Sequence, residues 1–354
     1  MITIRHKFLR IVTRQIIVWI FAFALLTFLR EFGQELVDRQ GIYSFEVLDN
    51  VFFQVLVGTI SGVLFASYEY LFEKLVSKKM SFGKTILIAA VGYMLTIFLL
   101  IALGFQAYAF AFSVDPNTLL FWDYFSSGEA LVVIIYCFLI GWLIEFFKEV
   151  DKKFGPGNLL KIMLGEFYEP KETERIFMFL DMRASTTIAE KLGHIKYSQL
   201  VQDCFKDIDA VIPYRAEVYQ YVGDEVVLTW EKEKGLANAN CLMAYFAFKD
   251  RLEAKKSYYL TKYGLLPEFK AGANLGRVTV AEVGEIKREI AYHGDTLNTA
   301  ARIQNKCNEY QQNLLVSEVL VNALPQHHAF TLSEIGQVLL KGKNQAVNIL
   351  AVQL

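Results

Sequence analysis

Hydrophobic positions along the chain follow two regimes. In the first 150 residues they gather into four long runs, Ile11 to Leu29, Val51 to Leu71, Ile86 to Phe105 and Ala130 to Phe147. Each run approaches the roughly 20 apolar residues that a membrane-crossing helix requires. From Glu172 onward the runs shorten and alternate with polar positions. Apolar and β-branched patterning predicts strands at Arg175 to Met182, Val218 to Val222, Glu225 to Trp230, Glu268 to Leu275, Val278 to Val283, Leu314 to Val316, Gly336 to Lys341 and Ala346 to Val352. Helical spacing predicts helices at Thr186 to Lys191, Tyr197 to Ile212, Leu236 to Tyr263 and Thr296 to Cys307. Gly223-Asp224, between two strand-forming runs, is a hairpin signal. Strands that pair around helices in this order imply an α+β sandwich rather than a doubly wound sheet. The GxGxxG and GxxxxGK[ST] loops are absent, which excludes dinucleotide-binding and P-loop readings.

Between the regimes, Lys152-Lys153-Phe154-Gly155-Pro156-Gly157 stops the fourth run. Asn158 to Tyr168 then carries Leu159, Leu160, Ile162, Met163, Leu164 and Phe167 on a helical period, predicting a short amphipathic helix. The following domain, the bilayer surface and a second copy of the chain would each cover its apolar face. The organisation is therefore a four-helix transmembrane bundle over residues 1–150, a linker helix over 151–171 and an α+β domain over 172–354.

Composition supports the membrane reading, because 54% hydrophobic residues exceed what a purely soluble chain carries. Arg5, Lys7, Arg10 and Arg14 precede the first span, Lys74, Lys78, Lys79 and Lys84 separate the second and third, and Lys148, Lys152 and Lys153 follow the fourth. The loop from Glu31 to Asn50 has only Arg39 among Lys and Arg within it, and Gln106 to Gly128 has none. The positive-inside rule then places the N-terminus and the α+β domain in the cytoplasm, in a multi-pass protein of the inner (plasma) membrane. The first run stays attached, since Phe28 to Phe32 lacks the small residues of a signal-peptide cleavage site. Glu69 and Gln54 inside the spans read as interface or helix-pairing residues. The net charge of -1 gives no footprint for nucleic acid. Cys137, Cys204, Cys241 and Cys307 have no metal or disulfide spacing and read as small apolar residues.

Two aspartates stand out. Asp181 closes a buried strand before Met182-Arg183-Ala184-Ser185-Thr186, where the hydroxyls are placed to cap the next helix. Asp224 sits in the hairpin turn. Paired carboxylates at strand ends suit a hard divalent cation that bridges phosphates, since Mg²⁺ takes few protein oxygens and keeps the rest for substrate and water.

Four segments in order carry a family resemblance: Phe179-Leu180-Asp181-Met182, Tyr221-Val222-Gly223-Asp224, Gly294-Asp295-Thr296-Leu297-Asn298-Thr299-Ala300-Ala301-Arg302 and Leu340-Lys341-Gly342-Lys343. They resemble the signature segments of class III adenylate and guanylate cyclases. The resemblance implies a ferredoxin-like palm that works as a homodimer, each site taking its metals from one subunit and its transition-state residues from the other. Carried over by position, Asp181 and Asp224, with the Met182 carbonyl, would hold two Mg²⁺ or Mn²⁺ ions. Asn298 would orient the ribose and Arg302 would stabilise charge at the α-phosphorus, while Lys341 and Arg277 would contact the phosphates. The reaction implied is in-line attack of the ribose 3'-oxygen on the α-phosphate with loss of pyrophosphate, which needs no protein nucleophile. His293, His327 and His328 are assigned no role.

At the two positions that choose the base in this family, the chain has Gln220 and Ala291. Adenine selection there uses lysine with aspartate or threonine, and guanine selection uses glutamate with cysteine. Gln220 can donate or accept and Ala291 offers no side-chain hydrogen bond, so neither code applies. Similarity to bacterial membrane cyclases favours ATP over GTP. Two alternatives stand beside this reading: a non-catalytic membrane receptor with a degenerate cyclase domain, and a diguanylate cyclase, to which Val222-Gly223-Asp224-Glu225-Val226 is a partial match.

Overall fold

The computed structural model describes residues 2–37, 47–75, 81–111, 128–155, 157–325, 330–340 and 346–354. The chain divides into two compact units, Met1–Lys153 and Phe154–Leu354. The first holds α1 (Ile2–Val37), α2 (Val47–Leu75), α3 (Phe82–Ala111) and α4 (Gly128–Phe154). Each of these four contains a stretch long and apolar enough to cross a membrane: Ile11–Leu29, Gln54–Leu75, Gly83–Leu103 and Ala130–Phe154. The four expected runs lie within them.

This unit is apolar outside, and inside it a cluster of buried polar side chains adjoins an apolar core of Trp19, Phe65, Tyr93 and Ile97. Phe21, Leu87 and Leu95 are exposed, while Gln15, Ser61, Glu69 and Glu145 are buried. Glu69 pairs with Arg14, accepts from Gln15 Nε2 at 2.6 Å and lies 3.3 Å from Lys148 Nζ. Gln15 in turn accepts from Trp19 Nε1 at 3.0 Å, and Lys148 also meets Glu145 at 2.7 Å. Glu69 is thus a helix-pairing residue that ties α1, α2 and α4. At Gly58 and Gly62 a Cβ would fall 2.6 Å and 2.5 Å from the Cα atoms of Ile20 and Ile16, so this small-xxx-small pair lets the α1 and α2 backbones touch.

The second unit begins with α5 (Asn158–Met163), shorter than the helix expected to reach Tyr168. Gly165 takes φ 71° and its N–H bonds Ile162 O, which turns the chain. Leu160, Met163, Leu164 and Tyr168 stay exposed; Phe167 is buried, and its carbonyl accepts from Glu282 N at 2.8 Å.

The remaining elements in order are β1 (Lys171–Met182), α6 (Ser185–Leu192), α7 (His194–Asp207), β2 (Glu217–Val222), β3 (Glu225–Glu231), α8 (Lys232–Leu236), α9 (Asn240–Ala254), α10 (Lys256–Tyr263), β4 (Phe269–Val283), β5 (Glu289–His293), α11 (Asp295–Lys306), β6 (Leu314–Ser317), α12 (Glu318–Ala323), β7 (Thr331–Val338) and β8 (Val347–Gln353). The strands form one sheet in the order β2-β3-β1-β4-β6-β8-β7, with β5 paired to β4. Side chains of β1 alternate strictly: Ile176, Met178, Leu180 and Met182 enter a core with Leu200, Leu242 and Phe248, whereas Phe177 and Phe179 face Val227, Val278 and Ala300 on the other side. The expected α+β palm is present.

Several sequence expectations change. The strand expected at Gly336 to Lys341 lies earlier, as β7 (Thr331–Val338), and the helix expected over Tyr197 to Ile212 ends at Asp207 and continues as a 3₁₀ segment, Ile208–Tyr214. The single helix over Leu236 to Tyr263 is broken, because Asn238 and Ala239 adopt φ of 52° and 51° and a second interruption falls at Lys255. The strands at Glu268 to Leu275 and Val278 to Val283 are one strand, β4, running through Gly276-Arg277 in register with Glu174 and Arg175 of β1. Ala184, in the left-handed region at φ 53°, rather than a hydroxyl residue, caps α6. β5 was not expected; its pairing with β4 forms a hairpin arm.

Candidate active site

Asp181 owes its position to register. Across the sheet it pairs with Glu225 of β3 on one side and Lys270 of β4 on the other. Asp224 precedes Glu225 in the two-residue turn that joins β2 to β3, where Gly223 takes φ 62°. The two expected aspartates are therefore brought to one end of the central strands. The Met182 side chain is buried in the core, which leaves only its backbone carbonyl to serve this end.

The acidic set is short of positive charge. Asp181 Oδ2 lies 3.2 Å from Lys270 Nζ and accepts from Gln304 Nε2 at 3.0 Å. Asp224 Oδ2 is buried and has no hydrogen-bond partner. Burial, together with Asp181 and Asp224, pushes the Glu225 carboxyl up to about 7, against the opposing pull of Lys270. Burial and Asp224 also raise the Tyr197 hydroxyl to about 12. Among the described residues no group of three or more His, Cys, Asp or Glu forms a metal cage. The chemistry on offer is a pair of aspartates with an orphaned buried oxygen, and it fits a divalent cation that brings most of its ligands as water and phosphate.

Helix α11 crosses β4 at very short range. A Cβ at Gly272 would stand 2.1 Å from the Gln304 backbone nitrogen, and one at Gly276 would stand 2.5 Å from Thr296 Oγ1. Thr296 Oγ1 donates to Arg277 O at 2.7 Å, and Asn274 Nδ2 donates to Thr296 O at 3.2 Å. Thr296, Thr299, Ala300, Ile303 and Gln304 form the buried stripe. Asn298 is exposed and Arg302 partly so. At about 100° per residue Asn298 and Arg302 share a face, while Gln304 lies about 160° around the helix from Arg302. Asn298 lies about 120° from Gln304, so the residue that grips Asp181 and the expected transition-state pair leave α11 on different faces.

Arg277 is exposed on β4 opposite Glu174. Gln220, on β2 just after a register shift, is exposed, and Ala291 pairs with Ala281 on the arm. Their neighbours bind the two strands together: Tyr292 N donates to the Tyr219 hydroxyl at 3.4 Å, with ring centroids 5.0 Å apart. Phe177 lies edge-on to both rings, and the Arg175 guanidinium sits 5.0 Å from the Tyr292 centroid. Lys341 lies outside the described residues, as do His327 and His328.

The sheet, the acidic turn and the closely packed helix together define a palm-type α+β domain with two aspartates at one end of its central strands. Residues 168–351 match the family model for the adenylate and guanylate cyclase catalytic domain, and the chain belongs to that family. "Adenylate cyclase 2" of Rhizobium meliloti (strain 1021) is 29% identical over 224 residues, which is 63% of this chain and 62% of that one. "Adenylate cyclase" of Anabaena cylindrica is 24% identical over 213 residues, 57% of this chain and 42% of that one. The chain thus spans less than two thirds of the length of these relatives. A solved bacterial light-regulated adenylyl cyclase shares the fold, with a TM-score of 0.55 at 21% identity over 64% of this chain and 65% of that one.

Proposed function

We propose that this chain is a membrane-bound nucleotide cyclase that converts ATP to 3',5'-cyclic AMP and pyrophosphate at the interface of a homodimer, with GTP as the alternative substrate. The observation that carries the reading is the buried, unpartnered Asp224 Oδ2 beside Asp181. A buried carboxylate oxygen without a donor is costly unless a cation completes it. Asp181, Asp224 and the Met182 carbonyl would hold two Mg²⁺ or Mn²⁺ ions. Bound there, divalent ions lower the pKa of the ribose 3'-hydroxyl and neutralise the triphosphate.

The protein's own share is positioning and electrostatics. Asn298 orients the ribose and Arg302, one turn later, meets charge developing on the α-phosphate as the bond to pyrophosphate breaks. Arg277 and Lys341 hold the phosphates, and Gln220 is the side chain left to read the base edge, with Ala291 admitting it. Because Asn298 and Arg302 point away from the side of α11 that grips Asp181, a second copy supplies them to this copy's aspartates. The apolar exterior of the N-terminal unit and the pairing of its inward charges with one another support a bundle that lies in the bilayer, with the catalytic domain cytoplasmic.

The test is product formation by the full chain in detergent with Mn²⁺ and either ATP or GTP, products identified by mass. Cyclic AMP is the expected product, cyclic GMP would transfer the assignment to GTP, and neither product would overturn the reading. Mixing Asp181→Ala and Arg302→Ala chains should restore part of the activity that each lacks. Heterodimers that form without activity would refute the shared site.

A further inference from the structure

We infer that Lys270 is the resident counter-cation of Asp181, which a divalent ion must displace, so that Lys270 holds down the metal affinity of the nucleotide-free protein. The inference rests on the metal-site reading above. Three side chains stand in one row across the sheet, Glu225, Asp181 and Lys270, because their Cα positions are register partners on β3, β1 and β4. Lys270 is buried, only 7% exposed, in a strand whose neighbours Phe269, Ala271 and Ala273 are core residues. A buried ammonium group persists only with a partner, and the partner here is Asp181 Oδ2 at 3.2 Å. The same oxygen accepts from Gln304 Nε2 at 3.0 Å, so both of its lone pairs are taken.

Lys270 does not complete the set. Asp224 Oδ2 remains without a donor, and Glu225 adds a third carboxyl to the same end of the sheet. One ammonium against two aspartates leaves a deficit that a dication fills, but a dication and Lys270 cannot share Asp181 without repulsion. Entry of metal therefore detaches Lys270 from Asp181. The ammonium freed in that step needs a new anion, which a triphosphate carrying the metal provides and the bare ion does not. Metal is then taken up efficiently as its nucleotide complex, and Lys270 is a positioning residue that enforces this coupling.

The experiment is Mn²⁺ binding to the full chain in detergent, read by the electron paramagnetic resonance signal of free Mn²⁺ in the absence of nucleotide. Lys270→Gln should bind Mn²⁺ about tenfold or more tightly than the wild type, while Lys270→Arg, which keeps the charge, should not. Equal or weaker binding by Lys270→Gln, with wild-type binding measurable, would overturn the inference. No binding by the wild type, with or without a non-hydrolysable ATP analogue, would instead sink the metal-site reading. The wild type also tests the idea without any variant that could misfold: Mn²⁺ alone should increase labelling of Lys270 by an amine-reactive reagent, measured by mass spectrometry. Unchanged labelling at saturating Mn²⁺ would count against displacement.

Discussion

The contact between α11 and β4 can be tested by adding one carbon atom. In Gly272→Ala the new Cβ would stand 2.1 Å from the Gln304 backbone nitrogen, 2.5 Å from its Cα and 2.6 Å from its Cβ. The first two atoms are helix backbone and the Cβ is fixed to it, so none can swing aside. Ordinary contact needs about 3.5 Å, so α11 must retreat by roughly 1.5 Å. Overpacking of this kind costs about 1–3 kcal/mol, and the Gln304 to Asp181 hydrogen bond, which is charge-assisted, adds about 1–2 kcal/mol when it is lost. A total near 3 kcal/mol corresponds to roughly hundredfold faster hydrogen exchange of the Asp295–Lys306 amides in the full chain. Because Asn298 and Arg302 ride on the same helix, turnover should fall by about a hundredfold. Gly276→Ala is the internal comparison: its Cβ would meet the Thr296 hydroxyl at 2.5 Å, a side-chain atom that can rotate, and should cost about 1 kcal/mol. Gly272→Ala protein with exchange and turnover no worse than Gly276→Ala would refute the geometry of this contact.

Other perturbations separate structural from catalytic charges. Asp224→Asn should abolish turnover yet stabilise chelator-treated protein by about 1 kcal/mol, read as a higher melting temperature, since it relieves the repulsion that Asp181 and Asp224 exert on Glu225; a lower melting temperature would contradict this crowding of carboxyls. Asp203 accepts from the hydroxyls of Tyr258 and Tyr263 at 2.6 Å each, from Lys262 at 2.7 Å and from Lys206 at 3.0 Å. Burial alone would raise its pKa, but these donors outweigh burial and hold the carboxyl well below its usual range. A depressed folded pKa stabilises above the unfolded value of about 3.9 and loses that stabilisation as pH falls toward the folded value. Asp203→Asn should therefore cost about 2 kcal/mol at pH 7 and progressively less below pH 4, measured by denaturant unfolding at both pH values. In the N-terminal unit, Glu69→Gln takes the carboxylate from Arg14 and leaves Lys148 with Glu145 and Glu73, and should destabilise the bundle by about 1–2 kcal/mol, read as a lower midpoint of thermal aggregation in detergent; an unchanged midpoint would remove the ionic cluster as a helix tie.

The elements that the pattern predicted well are those whose burial is one-sided or complete. The four apolar runs and β1 declare themselves because nothing else accounts for such continuity of Val, Ile, Leu and Phe. The breaks near Ala239 and Lys255 do not, because no glycine or proline falls at Asn238, Ala239 or Lys255 and the apolar spacing runs on past them. Gly276 misled in the other direction. Read as punctuation between two strands, it is a place where Thr296 approaches β4, and the strand runs through it. The pair Gly58 and Gly62 carried a similar signal, a small-xxx-small spacing inside an apolar run, and the close approach of α1 is its physical content.

The site divides along the same line between local and non-local information. Asp181 and Asp224 are recognisable because each sits at a strand end beside turn chemistry that is contiguous in sequence. Lys270 and Gln304 are not, because their roles exist only through register between β1 and β4 and through the approach of α11 to Gly272, contacts 89 and 123 residues away from Asp181 in sequence. The one local trace of Lys270 is a charge inside the otherwise apolar run from Phe269 to Ala273. A lysine in such a run is buried only where a carboxylate awaits it, and Asp181 is the carboxylate that the register of β4 delivers. The same reasoning turns the feature into a diagnostic: exchanging the two charges as Asp181→Lys with Lys270→Asp should be more stable than either single reversal while destroying Mn²⁺ binding, because the swap restores the ion pair but neither the Gln304 hydrogen bond nor the metal site. A double variant that unfolds while both single variants fold would show that the row across the sheet is not held by this pair.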